Sequence, residues 1–294
     1  MAKRDLLFWL GPLIFTVGFL LLAALLAPVF HWAVEPIDEN PFRRYTDRAL
    51  MVAAVLCLLP YLIRHWSGLG WWGQPPAGRA LVLGVAVALS GTLLINFLLI
   101  GFGWRELIPD ELWSALPKAL MAAVLVSLIE EILFRGVMLK ALSERAGRIA
   151  GFWLTAFLFA WVHFLKAPES FQPDPVTWTS GFTSVALALA NLPTVDFLPG
   201  GRFFTLLLVG VLLGVAKLRT GGLWLPMGLH AGFILGIQWS SRATDLTPAG
   251  REAWLGADLL TGPWTWAALV VMILLTWRSP LPGQSPPPAA GSKA

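Results

Sequence analysis

Apolar runs long enough to cross a bilayer recur along almost the whole chain, and a bilayer admits few folds. Inside hydrocarbon every backbone N–H and C=O must be satisfied within the protein, so repeated runs of about 20 apolar residues are expected to fold as a bundle of helices. The first run, residues 6–30, follows Lys3 and Arg4. At about 25 residues it is longer than a signal-peptide core and ends without a small-x-small cleavage signal, so it is expected to stay as a span. Further candidates are 49–63, 80–101, 116–142, 149–165, 203–218, 223–239 and 264–277. Together they predict an all-α polytopic membrane bundle of about eight transmembrane helices. The apolar piece 180–192, about 13 residues long, falls short of the roughly 17 needed to span and is read as re-entrant or interfacial.

Charge orients the spans. Lys3/Arg4, Arg64 with Arg79, Lys140/Arg145/Arg148, Lys217/Arg219 and Arg278 fall on one side, and the acidic loops 35–47 and 106–111 on the other. The positive-inside rule places the first group, and both termini, in the cytoplasm. With 57% hydrophobic and 13% charged residues and a mean hydropathy of +0.71, the chain lies outside the range of a soluble domain. Its net charge of +4 sits in small groups at segment ends, which fits topology and excludes a nucleic-acid partner. Membrane lipid is the expected partner. The single Cys57 excludes an intrachain disulfide framework and a thiolate metal cluster. Residues 1–279 are read as one membrane domain and the Pro-rich 280–294 as a disordered tail. The Ala, Leu, Gly and Trp-rich composition points to a bacterial inner membrane.

Within the 116–142 run, VSLIEEILFRG places Glu130, Glu131 and Arg135 in an otherwise apolar helix. An ionisable side chain at the bilayer centre costs about 2.5 to 3.5 kcal/mol on insertion scales, so it is expected to face a partner or an aqueous cavity. Glu131 and Arg135 are spaced i,i+4 and pair on one face, which a plain packing role would explain. Glu130 is rotated by about 100° from Glu131, has Phe134 at its own i+4 position and finds no cation on its own helix. His163 and His230 also lie inside apolar runs. A histidine there, taken alone, is more often a packing residue. Counted from the cytoplasmic ends of their helices, however, Glu130 and His163 are each about 20 Å deep, and His230 about 10 Å. One carboxylate and two imidazoles are therefore expected to converge on one intramembrane cavity, where the carboxylate takes a proton from water and the imidazoles orient that water, donate to an oxyanion or bind a metal.

Glu130-Glu131-x-x-x-Arg135, Phe159-x-x-x-His163 and the block LLLVGVLLGVAKLRTGGLWLPMGLHAG around His230 resemble, in order, the motifs of the CPBP family of intramembrane proteases. That family includes the type II CAAX prenyl endopeptidases (Rce1-like) and bacterial Abi-domain proteins. The resemblance covers about residues 116–237. It implies an intramembrane endopeptidase that hydrolyses a peptide bond of a membrane-associated or lipidated protein or peptide. Glu130 would activate the water with His163 and His230 in the same site, and Glu131, Arg135 and Phe159 would support it. A glutamate-type mechanism without cofactor is preferred, since H-E-x-x-H is absent. In the metal-dependent alternative, Glu130, His163 and His230 would be the ligands of a divalent ion such as zinc.

One position departs from the family pattern. Where the family carries Asn or Asp four residues after the last histidine, this chain has Ile234, which removes an oxyanion donor. Gln238, two turns from His230, is too distant to replace it, and Asn96 and Asn191 are either packing amides or relocated donors. The rival reading is a catalytically impaired or non-catalytic membrane interaction protein, of immunity or scaffold type, that retains the motif. The segment 166–202 is read as a passive connection or as a cap over the cavity.

Overall fold

In the computed structural model, which describes residues 2–36, 40–69, 77–192, 201–253 and 258–278, the apolar runs are helical. The expected tail, 280–294, lies outside the described residues. In chain order the helices are α1 (Ala2–Val34), α2 (Phe42–His65), α3 (Ala77–Gly101), α4 (Glu111–Glu131), α5 (Leu139–Ala146), α6 (Arg148–Val162), α7 (Trp178–Asn191), α8 (Arg202–Thr220), α9 (Trp224–Ala243), α10 (Pro248–Arg251) and α11 (Pro263–Arg278). A π-helical segment, Ile132–Met138, joins α4 to α5 without a break. Two short strands, β1 (Arg105–Leu107) and β2 (Thr244–Leu246), pair antiparallel.

By length and hydropathy, four stretches among the described residues are able to cross a membrane: Thr16–Val34, Ala77–Gly101, Glu111–Ala146 and Arg202–Thr220. The sequence reading of about eight spans is thus matched only in part. Arg148–Val162 and Pro263–Arg278 are apolar but shorter, below the roughly 17 residues that hydrocarbon thickness requires. The run 180–192 is also short: α7 has 14 residues and begins at a capping box formed by Thr177 and Ser180.

Contacts divide the chain into two compact units, one of residues 1–66 with 161–196 and one of 67–160 with 197–294. In the first, α7 packs on α1 so closely that a Cβ on Gly181 would overlap the Ala24 carbonyl. Thr46 and Ser184 hydroxyls hydrogen-bond at 2.7 Å in its interior.

The second unit is built on stripes of small residues repeated every fourth position. On α4 the buried residues are Ala115, Ala119, Ala123, Ser127 and Glu131. On α3 they include Ala80, Gly84, Ala88, Thr92 and Asn96, and on α9 Gly228, Gly232, Gly236 and Ser240. Small side chains let helices approach closely where no hydrophobic effect drives them together. A Cβ on Gly84 would lie 2.6 Å from Leu229 N, and one on Gly232 2.8 Å from Ala88 Cβ; one on Gly236 would lie 2.8 Å from Thr92 Cβ. The contacts advance in step along both helices, so α3 and α9 run parallel, as their expected common direction through the membrane requires. At their far ends Arg105 clamps β1 to β2, donating from Nε to Thr244 Oγ1 at 2.7 Å and from Nη2 to Thr244 O at 3.1 Å. Burial pulls the Arg105 pKa below its ordinary value, opposed by the charges of Asp258 and Asp245.

Candidate functional site

Glu131 is the last member of the α4 stripe, which explains its complete burial: it occupies a position where the four preceding members, Ala115 to Ser127, already face the interior. Arg135, one turn on in the π-helical segment, is equally buried at 1% exposure. Its Nη1 donates to Glu131 Oε1 at 2.8 Å and its Nη2 to the Gly210 carbonyl at 3.1 Å. The i,i+4 pair expected from the sequence is therefore present. A buried charge without its partner is strongly destabilising, so each of the two depends on the other.

The pair does more than neutralise itself. His230 on α9 places Nδ1 2.8 Å from the same Glu131 Oε1. A carboxylate at that distance requires a hydrogen on Nδ1, so Glu131 selects the tautomer and leaves Nε2 as an acceptor when the ring is neutral. Nε2 in turn lies 3.8 Å from Glu130 Oε2. The ring thus stands between the two adjacent carboxylates, one at each nitrogen. Glu130, about 100° around the helix from the buried stripe, keeps 17% of its side chain exposed, against 0% for Glu131. The gap of 3.8 Å exceeds a direct hydrogen bond, and a water placed beside it can bond to both groups.

Aromatic rings hold the polar groups in place. The Arg135 guanidinium lies 4.4 Å from the Phe159 ring centroid, and the Phe159 and His230 rings meet edge to face at 5.6 Å. Phe134 packs against Phe159 at 5.2 Å. Phe159 is 1% exposed, so one ring supports both the cation and the imidazole.

His163 follows the last residue of α6 in a turn and is half-buried. It belongs to the first unit, whereas Glu130, Glu131, Arg135, Phe159 and His230 belong to the second. Its convergence with Glu130 therefore stays an expectation from helical rise. Ile234, one turn beyond His230, is half-buried, and Gln238 is exposed. Asn191 Nδ2 donates to Lys166 O at 3.3 Å, a packing bond within the first unit. Asn96 is buried on the α3 stripe beyond Thr92, which faces Gly236. That level is about 15 Å along α9 from His230, too far for Asn96 to act as the relocated donor.

Catalytic zinc takes three protein ligands and a water. Within the second unit, among its described residues, no group of three His, Cys, Asp or Glu side chains is placed to hold a metal ion. Glu131 Oε1 is committed to Arg135 and His230, which leaves Glu130 and His230.

The sequence reading missed two contributors. Gly210, inside the quoted block on α8, supplies the carbonyl that accepts from Arg135. A Cβ there would lie 3.0 Å from Ala156 O and 3.3 Å from Phe159 Cδ1, so only a small residue lets α8 approach. The π-helical segment carrying Arg135 also went unseen. π-segments gather at functional sites, but no proline marks this one, and the charged residues in and before it are read from sequence as an ordinary i,i+4 pair.

Residues 112–235 match the family model described as type II CAAX prenyl endopeptidase Rce1-like, a match that supports a CPBP/CAAX protease assignment for this region. The match covers somewhat under half of the chain and includes Glu130, Glu131, Arg135, Phe159, His163 and His230. Comparisons with curated proteins and with solved structures returned no match.

Proposed function

We propose that the Rce1-like region makes this chain an intramembrane endopeptidase of the glutamate type, acting on a membrane-associated or lipidated protein or peptide. The observation that carries the reading is the position of His230, with Glu131 at Nδ1 and Glu130 3.8 Å from Nε2. Glu130 takes a proton from a water that also hydrogen-bonds to His230 Nε2. The hydroxide so formed adds to the scissile carbonyl carbon, and the oxygen of that carbonyl becomes an oxyanion. His163 is assigned as its donor. The proton on Glu130 then passes to the leaving nitrogen, the C–N bond breaks, and a carboxylic acid and an amine result, the acid losing its proton to the amine or to solvent. Glu131, Arg135 and Phe159 position the imidazole and do not touch substrate.

The test uses the full-length protein in lipid nanodiscs with a farnesylated peptide and its unprenylated counterpart as probes. Glu130→Gln is expected to lower cleavage by about 10²- to 10⁴-fold while the melting curve is retained. Unchanged cleavage in Glu130→Gln and His163→Ala would remove the protease reading. Zinc bound at unit stoichiometry, with activity lost on chelation and restored by the metal, would replace the glutamate mechanism by the metal-dependent one.

Ile234 supports a second reading, a catalytically impaired or non-catalytic membrane interaction protein. One oxyanion donor is worth about 10² to 10³ in turnover. If wild-type protein cleaves neither peptide but Ile234→Asn does, the impaired form of that reading is the correct one.

A further inference from the structure

The seam between α3 and α9 carries a second polar feature, remote from the carboxylates. Contacts along the seam advance by four residues on each helix. Gly84 lies against Leu225 and Gly228, Ala88 against Gly232, and Thr92 against Gly236. Continued by one more step, the same register sets Asn96 level with Ser240. The helices are still held together beyond that point, because the amide of Ile108 bonds to Ala243 O at 2.8 Å and β1 pairs with β2. Asn96 is 2% exposed and Ser240 0%. Among the described residues, Asn96 Oδ1 and Ser240 Oγ are both buried without a hydrogen-bond partner.

A single orphan in a membrane interior costs several kcal/mol, and two at one level of one seam share a single remedy. Direct pairing is not the arrangement found, since two such groups in contact would be each other's partner. We propose that Asn96 and Ser240 form a buried hydration site that binds one water molecule between α3 and α9. The water donates one hydrogen to Asn96 Oδ1 and bonds through its oxygen or its second hydrogen to Ser240 Oγ. Buried waters bind where polar atoms lack protein partners, commonly with about three hydrogen bonds. The surrounding Thr92, Leu99 and Gly236 are buried as well, so the water does not exchange freely with the lipid face. The site lies about 15 Å along α9 from His230 and is independent of the proposed protease reading.

Two measurements on the full-length protein in nanodiscs test it. A cryo-EM map fine enough to show ordered water is expected to carry density within hydrogen-bond reach of both side chains. A direct Asn96–Ser240 bond, or no density between them, overturns the proposal. In thermal unfolding, Asn96→Leu and Ser240→Ala are each expected to lower the Tm by about 2–4 °C, because each leaves the other group and the water short of a partner. The double variant, which removes the need for water, is expected to recover most of the loss. Strictly additive losses would count against a shared water.

Discussion

Glu131 at the end of the α4 stripe and the Asn96 and Ser240 pair at the ends of the α3 and α9 stripes are built on the same pattern, small residues every fourth position closing on a polar side chain. Their polar ends are treated differently. Glu131 Oε1 receives Arg135 and faces His230 Nδ1 at 2.8 Å each, whereas Asn96 Oδ1 and Ser240 Oγ have no protein partner among the described residues. Close helix packing therefore brings polar groups into the interior, but it does not by itself satisfy them. An unpaired ion in hydrocarbon is too costly to keep, so the charge on Glu131 is met by Arg135, although Glu131 Oε2 and Arg135 Nε are themselves buried without a hydrogen-bond partner among the described residues. A neutral amide and a hydroxyl leave room for water.

Substitutions at the two ends separate these cases. Arg135→Met is expected to cost the most, about 3–5 kcal/mol, because it removes the opposite charge from buried Glu131 and leaves it only the imidazole of His230. Arg135→Met combined with Glu131→Met should restore much of the Tm while leaving His230 without its Nδ1 partner and cleavage low. Equal melting of the single and double variants would show that the pair is not a charge-compensated unit. Gly228→Ala comes next, since its Cβ would overlap the Leu81 carbonyl. Forcing α3 from α9 is expected to cost about 1–3 kcal/mol. It should also lower cleavage, because His230 lies two residues beyond Gly228. A loss of stability without change in turnover would uncouple the seam from the site. Arg105→Lys is expected to have the smallest effect, about 1 kcal/mol, because lysine cannot reproduce the fork that bonds both Thr244 Oγ1 and Thr244 O. It should leave cleavage unchanged, the site being at the other end of the helices.

How far the sequence could be read depended on the range of each interaction. The Glu131–Arg135 pair was legible because i,i+4 neighbours meet in any helix. The separate role of Glu130 followed from a rotation of one residue. The register of α3 on α9 was written as glycines and alanines at every fourth position, yet which stripe meets which depends on contacts between segments more than 100 residues apart. The number of spans was less legible: α6 and α11 are shorter than a bilayer, and α2 and α9, though long enough, are not among the stretches apolar enough to cross one.

The sequence by itself determined a helical membrane chain with two carboxylates on different faces of one helix and an arginine spaced i,i+4 from one of them, because helical geometry is local and fixed. Only the tertiary structure decided that His230 stands between those carboxylates and that the α3 stripe ending in Asn96 meets the glycines of α9. Both depend on how far one helix slides along another before small side chains interlock, and no single helix encodes that distance.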